Sequence, residues 1–158
     1  MGDKIHLYHI QTVWTGKSTG GNSDVKTYNR GHHIYNSGKP DLELTTDNKL
    51  VGEPHKLNPE DLLVSSISSC HMLSYLYVCS INNIVILDYT DNATGEMEEN
   101  SNGGGKFNYV TLNPTILVQN ETMIEGAFEM HHEAHRICYI ANSVNFEVHI
   151  KPIITSLT

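Results

Sequence analysis

Three cysteines, Cys70, Cys79 and Cys138, and only two arginines, Arg30 and Arg136, carry the chemistry that stands out in this chain. A thiolate attacks peroxide oxygen, and a second thiol nearby converts the resulting sulfenic acid into a disulfide. The attacking sulfur must be ionised, and apolar surroundings raise its pKa unless a fixed cation offsets the lost solvation. Arg136 lies two residues from Cys138 in a helical pattern and so faces away from it, which leaves Arg30 as the candidate cation. Cys70 and Cys79 are separated by about 13 Å of helical rise and cannot bridge each other, so any thiol pair involves Cys138. An odd, sparse set of cysteines with no expected secretory leader is not a stabilising disulfide framework.

The elements that must position these residues follow from periodicity. "IHLYHIQTVW" and "DVKTYNRGHHIY" alternate apolar and polar residues around "GKSTGGNS", which predicts a hairpin with Arg30 in its second strand; "DLELTT" predicts a third strand. Asn58 offers an N-cap, Pro59 suits the first helical position, and Glu60 and Asp61 place negative charge at the positive end of the dipole. A helix to about Ile81 follows, with Leu63, Ile67, Cys70, Ser74, Tyr77 and Ile81 on one stripe. Its serines at 65, 66, 68 and 69 leave room for close approach of another element. "IVILDYTDNATGEM" and "KFNYVTLNPTILVQ" predict a second hairpin through the glycine-rich "EENSNGGGK". A second helix is predicted over about Met123–Asn142, then a last strand, "NFEVHIKP", closed by Pro152. The second helix puts Cys138 on one side with Ala134, His131 and His135. Helices packed side by side at ~8–10 Å would bring Cys70 and Cys138 within bonding reach. Residues 1–158 read as a single domain without internal repeats.

The 158 residues are 39% hydrophobic and 18% charged, enough for one domain with a real core and outside the composition of disordered chains. A formal net charge of -8, with 18 acidic against 10 basic residues and no Lys/Arg cluster, argues against nucleic acid or an anionic membrane as partner. Small neutral or apolar ligands fit better. No apolar run approaches the ~20 residues of a membrane span, and the first residues alternate instead of forming a leader core; a cytoplasmic location is expected.

Three stretches in this order, "YNRGHH", "NPEDLLVSSISSCHML" and "HHEAHRICYIANSVNFEVHI", resemble the OsmC/Ohr family of organic-hydroperoxide resistance and osmotically inducible proteins over roughly residues 25 to 152. The most specific part is Asn-Pro-Glu with a helical Cys ten residues after the Glu, and a second Cys 68 residues further on. The resemblance implies an α+β fold, with antiparallel sheets wrapped around two long central helices in an intertwined homodimer. It implies a thiol-dependent peroxidase for organic hydroperoxides. Cys70 would be the peroxidatic thiol that becomes a sulfenic acid, Cys138 the resolving thiol of a Cys70–Cys138 disulfide, and Arg30 and Glu60 an ion pair at the active site. Electrons would return from a dithiol reductant, a lipoylated or thioredoxin-like protein. No cofactor enters this chemistry.

Glu60 and Cys70 stand about 15 Å apart along a straight helix, so both cannot serve one site within a chain. If Glu60 holds Arg30 against a thiolate, that thiolate belongs to a symmetry mate, and the dimer carries two composite sites. A guanidinium can hold the carboxylate bidentately while aiming an N–H at sulfur, which Lys reproduces poorly.

A second reading is a non-catalytic dimeric protein that binds a ligand or metal on the same scaffold. Tyr139 follows Cys138 where the best-known members of the family carry proline, and "HHEAH" precedes it. His131 and His135 share a face with Cys138, and with Cys70 they would make a tetrahedral zinc set. Glu133 lies about 200° round the helix from His131, out of reach of a shared water. Histidines 131, 132 and 135 are therefore expected at a surface or interface, with no metal assigned, and His71 points about 100° away from Cys70. His32 and His33 are candidates to line a pocket beside Arg30. Ile67, Leu73 and Tyr139 would form an apolar mouth favouring alkyl or aryl hydroperoxides over hydrogen peroxide. Cys79 reads as packing.

Overall fold

The longest helix, α1 (Pro59–Ile81), begins and ends where the sequence predicts. Asp61 N–H donates to Asn58 Oδ1 at 2.7 Å and Asn58 N–H donates to Asp61 Oδ2 at 3.1 Å, a reciprocal box that satisfies backbone donors left free at a helix start. At the far end Asn83 takes a φ of 58°. Its N–H bonds the Ser80 carbonyl at 3.2 Å while Ile84 N–H bonds the Cys79 carbonyl at 2.9 Å, the paired closure that a left-handed residue permits. The computed structural model describes residues 4–47 and 52–158. Where the sequence shows no boundary, contacts group the chain into two units, Met1–Leu62 and Leu63–Thr158, divided within the first turns of α1.

The first unit holds an antiparallel sheet of β1 (Gln11–Trp14), β2 (His32–Tyr35) and β3 (Leu42–Leu44), in that order. The strands are shorter than the alternation suggests, and Arg30 lies in the loop before β2 instead of within it. Asn29 explains this. Its Oδ1 accepts from Gly31 N–H at 2.6 Å and its carbonyl from Trp14 Nε1 at 2.7 Å. That local turn competes with ladder pairing, which starts only at Trp14 opposite His32.

In the second unit each predicted long strand splits in two. The first arm gives β4 (Ile86–Asp91) and β5 (Thr94–Glu99), and the second gives β6 (Gly105–Leu112) and β7 (Pro114–Val118). The last arm gives β8 (Glu147–Ile150) and β9 (Ile153–Ser156). Two sheets result, ordered β4-β7-β9 and β5-β6-β8. The corner between them is held by Asp91, whose Oδ1 accepts from Asn113 N–H at 2.7 Å, and by Asn113 Nδ2, which donates to the Asn92 carbonyl at 2.9 Å. Pro152 has no N–H, so it interrupts the last arm without ending it. Gly103, at a φ of 83°, turns the β5–β6 hairpin as expected. The sheets are not purely antiparallel: β8 runs parallel to β6 and β9 parallel to β7.

Between β7 and β8 lies α2 (Ile124–Ile137), shorter than predicted and ending before Cys138. Asn142 Nδ2 donates to the carbonyls of Arg136 at 3.0 Å and Cys138 at 2.9 Å. A side chain thus takes acceptors that further helix would have used, and Cys138 adopts an extended backbone.

Two core clusters lie in this unit. Tyr75, Val78 and Cys79 of α1 pack with Ala127 and Ala134 of α2 against Ile116 and Val118 of β7. Nearer the start of α1, Ile67 packs with Val110 and Leu112 of β6. The buried stripe of α1 is therefore Ile67, His71, Tyr75, Val78 and Cys79, rotated from the predicted one. Leu73, Tyr77 and Ile81 instead face outward at 61%, 59% and 61% exposure. With 23 residues and a mean hydropathy of 1.4 over an 18-residue window, α1 is by length and composition alone apolar enough to cross a membrane; serines interrupt its apolar runs, which hides this from a search for continuous ones.

Asn58→Ala should remove one partner of the α1 box and cost about 1 kcal/mol of stability, read as a lowered urea midpoint with unchanged m-value.

Candidate active site

Cys70 sits mid-helix in α1 and is half-buried; Cys138, at the C-terminal cap of α2, is fully buried. The Cys138 thiol donates to Cys70 Sγ at 2.9 Å. That separation is longer than a covalent S–S bond of about 2.05 Å, and all three cysteines are free thiols. The expected approach of the two sulfurs is present, but Cys138 reaches it from a turn and not from mid-helix.

The two thiols differ in environment. Burial pushes the Cys138 thiol up to about 11, its hydrogen bond to Cys70 adds to the rise, and the Ala141 N–H, 3.5 Å from its sulfur, opposes it. Cys138 is therefore a protonated donor at neutral pH, with Cys70 as the acceptor. Cys79 is fully buried and likewise pushed up to about 11 by burial, in keeping with packing.

Arg30 and Glu60 belong to the other unit. Arg30 Nη2 donates to the Val25 carbonyl at 2.7 Å and Nη1 to the Tyr28 carbonyl at 3.2 Å, with the guanidinium 4.1 Å from the Tyr28 ring centroid. These contacts satisfy the guanidinium locally, and among the described residues Arg30 and Glu60 form no ion pair. Glu60 Oε2 is buried and has no hydrogen-bond partner among the described residues. Arg30 lines a surface pocket of about 510 Å³ with Trp14, Tyr28 and His32. His33 turns instead to Glu43, Nε2 to Oε1 at 3.2 Å.

The histidines depart most from expectation. His71 and His131 are 1% and 5% exposed, and His71 Nε2 lies 3.0 Å from His131 Nδ1. Tyr75 stacks on His131 with ring centroids 4.0 Å apart, and its hydroxyl donates to the Ala127 carbonyl at 3.0 Å. Burial holds His71 down to about 4, with His135 adding to the effect, and His131 down to about 3, with His71 adding. Both rings are neutral, so one donates and the other accepts. The sequence reading missed this pair; its signal is His71 and Tyr75 at i, i+4 on α1 facing Ala127 and His131 at i, i+4 on α2. Among the described residues no three His, Cys, Asp or Glu side chains gather as metal ligands, because His131 turns to His71 and not to Cys138.

Ile67 is buried in the core and so does not line a mouth with Leu73 and Tyr139, which are exposed. Ser65, Ser68 and Ser69 line an open pocket of about 420 Å³ with Met72, Tyr89 and Asp91.

The OsmC-like protein family model matches residues 52–152. Among solved structures, an OsmC-like protein of unknown function from Vibrio cholerae superposes with a TM-score of 0.83 at 28% identity, covering 94% of this chain and 100% of that one. An organic hydroperoxide resistance protein from Elizabethkingia anophelis gives 0.67 at 24% identity, covering 96% and 98%. The organic hydroperoxide resistance protein OhrB of Bacillus subtilis gives 0.61 at 22%, covering 95% and 100%. Among curated proteins none matches the chain.

Because the two imidazoles stay neutral, unfolded chains take up protons below pH ~6.5 that the native protein does not. Stability is full above that pH and falls as pH drops toward about 4 and then about 3, by up to about 1.4 kcal/mol per pH unit for each ring. Urea unfolding between pH 6.5 and 5, above most carboxylate titration, should show this slope, and the His71→Phe/His131→Phe double variant should lose most of it.

Proposed function

Since the chain belongs to the OsmC-like protein family, we propose that it is a thiol-dependent peroxidase that reduces organic hydroperoxides through Cys70 and Cys138. The observation that carries this reading is the 2.9 Å approach of two free sulfurs, one of them fully buried. In the first step the Cys70 thiolate attacks the peroxide; the O–O bond breaks, Cys70 becomes a sulfenic acid and the alkoxide leaves as alcohol after taking a proton. Cys138 then attacks the Cys70 sulfur. The S–O bond breaks, an S–S bond forms, and the Cys138 proton departs with hydroxide as water. A dithiol, lipoylated or thioredoxin-like, returns two electrons by exchange. The protonated state of Cys138 suits the resolving role, since it leaves Cys70 to act first.

The cation for Cys70 is proposed to be Arg30, oriented by Glu60, from the other subunit of a two-fold dimer. Glu60 supports this with a buried oxygen that lacks a partner, a position costly for a carboxylate unless a cation meets it. The exposed row of Leu73, Tyr77 and Ile81 on α1 supports a second copy as the cover, because a contiguous apolar helix face is costly in water. The location is proposed to be cytoplasmic, where dithiol reductants operate.

Cys70→Ser should abolish turnover of cumene hydroperoxide, whereas Cys138→Ser should allow one turnover and leave a sulfenic acid on Cys70 that dimedone traps. Full turnover by Cys70→Ser would end the proposal. Arg30→Ala and Arg30→Lys should each lower the rate of sulfenic acid formation at least tenfold in a protein that native mass spectrometry finds dimeric; wild-type rates in both would remove Arg30 from the mechanism.

A further inference from the structure

The chemistry proposed above uses neither buried imidazole, yet both occupy the seam between the helices that present the two thiols. His71 follows Cys70 on α1, and His131 sits two turns before Cys138 on α2. Their ring planes are within 6° of parallel and their nitrogens meet at 3.0 Å. His71 also lies between the two core clusters, one reached through Ile67 and the other through Tyr75. The outer nitrogens, His71 Nδ1 and His131 Nε2, have no hydrogen-bond partner, so the mutual contact is the only hydrogen bond either ring makes among the described residues. Burying two imidazoles for one shared bond costs solvation at both outer nitrogens, a poor arrangement for packing alone.

We propose that the His71–His131 hydrogen bond is a positioning device that sets the register of α1 against α2, and through it the approach of Cys70 to Cys138 needed for the disulfide step. This rests on the thiol-pair reading of the site. The bond is directional and short, so sliding either helix by a fraction of a turn breaks it, whereas the apolar burial between the same helices carries no such direction. Tyr75, stacked on His131 and bonded to the Ala127 carbonyl, holds the same pair of helices one turn further along. Among the described residues neither imidazole hydrogen-bonds a sulfur, so both act through the backbone they fix.

The test uses the Cys70–Cys138 dithiol–disulfide equilibrium of the full-length protein in a dithiothreitol redox buffer, which needs no peroxide. His71→Phe and His131→Phe, verified as folded by circular dichroism, should shift that equilibrium at least tenfold toward the dithiol, about 30 mV for a two-electron couple. Amides distinguish position from bulk: a Gln amide reaches the place of Nε2 and an Asn amide that of Nδ1. His71→Gln and His131→Asn should therefore recover to within about threefold of wild type, while His71→Asn and His131→Gln should not. Folded Phe variants with the wild-type equilibrium would overturn the proposal. If the Phe variants do not fold, equal constants for Gln and Asn at both positions overturn it as well. A wild-type protein that forms the disulfide in redox buffer but does not turn over hydroperoxide would sink the peroxidase reading and leave this inference standing.

Discussion

Polar rings buried between two helices must find each other, and that requirement shapes the second unit. His71 and His131 meet at 3.0 Å, and the Tyr75 hydroxyl takes a carbonyl of the facing helix. A shift of α1 against α2 would leave buried donors and acceptors without partners, at a cost of ~1–3 kcal/mol each. Apolar cores fix composition loosely and polar pairs fix register tightly. The contact between Cys70 and Cys138 inherits that register, because the two thiols are carried on the same two elements.

The thiols themselves are made unlike by small differences in placement. Cys138, enclosed at a helix end, keeps its proton through burial and gives its hydrogen bond to Cys70. Cys70 sits half-buried on the long helix and accepts that bond. Two residues of one type thus take opposite ends of a donor–acceptor pair before any reaction begins.

What could be read from the sequence divides along physical lines. The bounds of α1 were legible because Asn58, Pro59, Glu60 and Asp61 act on their own neighbours, and the nearness of the Cys70 and Cys138 sulfurs was legible because each was expected on one of two helices packed side by side. The end of α2 was not, since it depends on Asn142 reaching back to two carbonyls. Strand splitting escaped because the corner is made by Asp91 and Asn113, far apart in sequence. The histidines escaped for the same reason: a lone polar residue on a helix reads as exposed until its partner, 60 positions on, is known. Composition singled out Arg30 as the candidate cation, but its strand placement failed against the local turn at Asn29.

The parallel pairing of β8 with β6 and β9 with β7 has an effect on the timing of assembly. A parallel neighbour cannot be reached through a tight turn, so the chain must travel out and back before the sheet is complete. That detour is α2 and the loop bearing Cys138. During synthesis, then, the first sulfur is made well before the second, which follows 68 residues later. Cys138 is carried on the stretch that must be laid down before β8 and β9 can pair, so completing the sheets and bringing the second sulfur beside the first draw on one segment of chain.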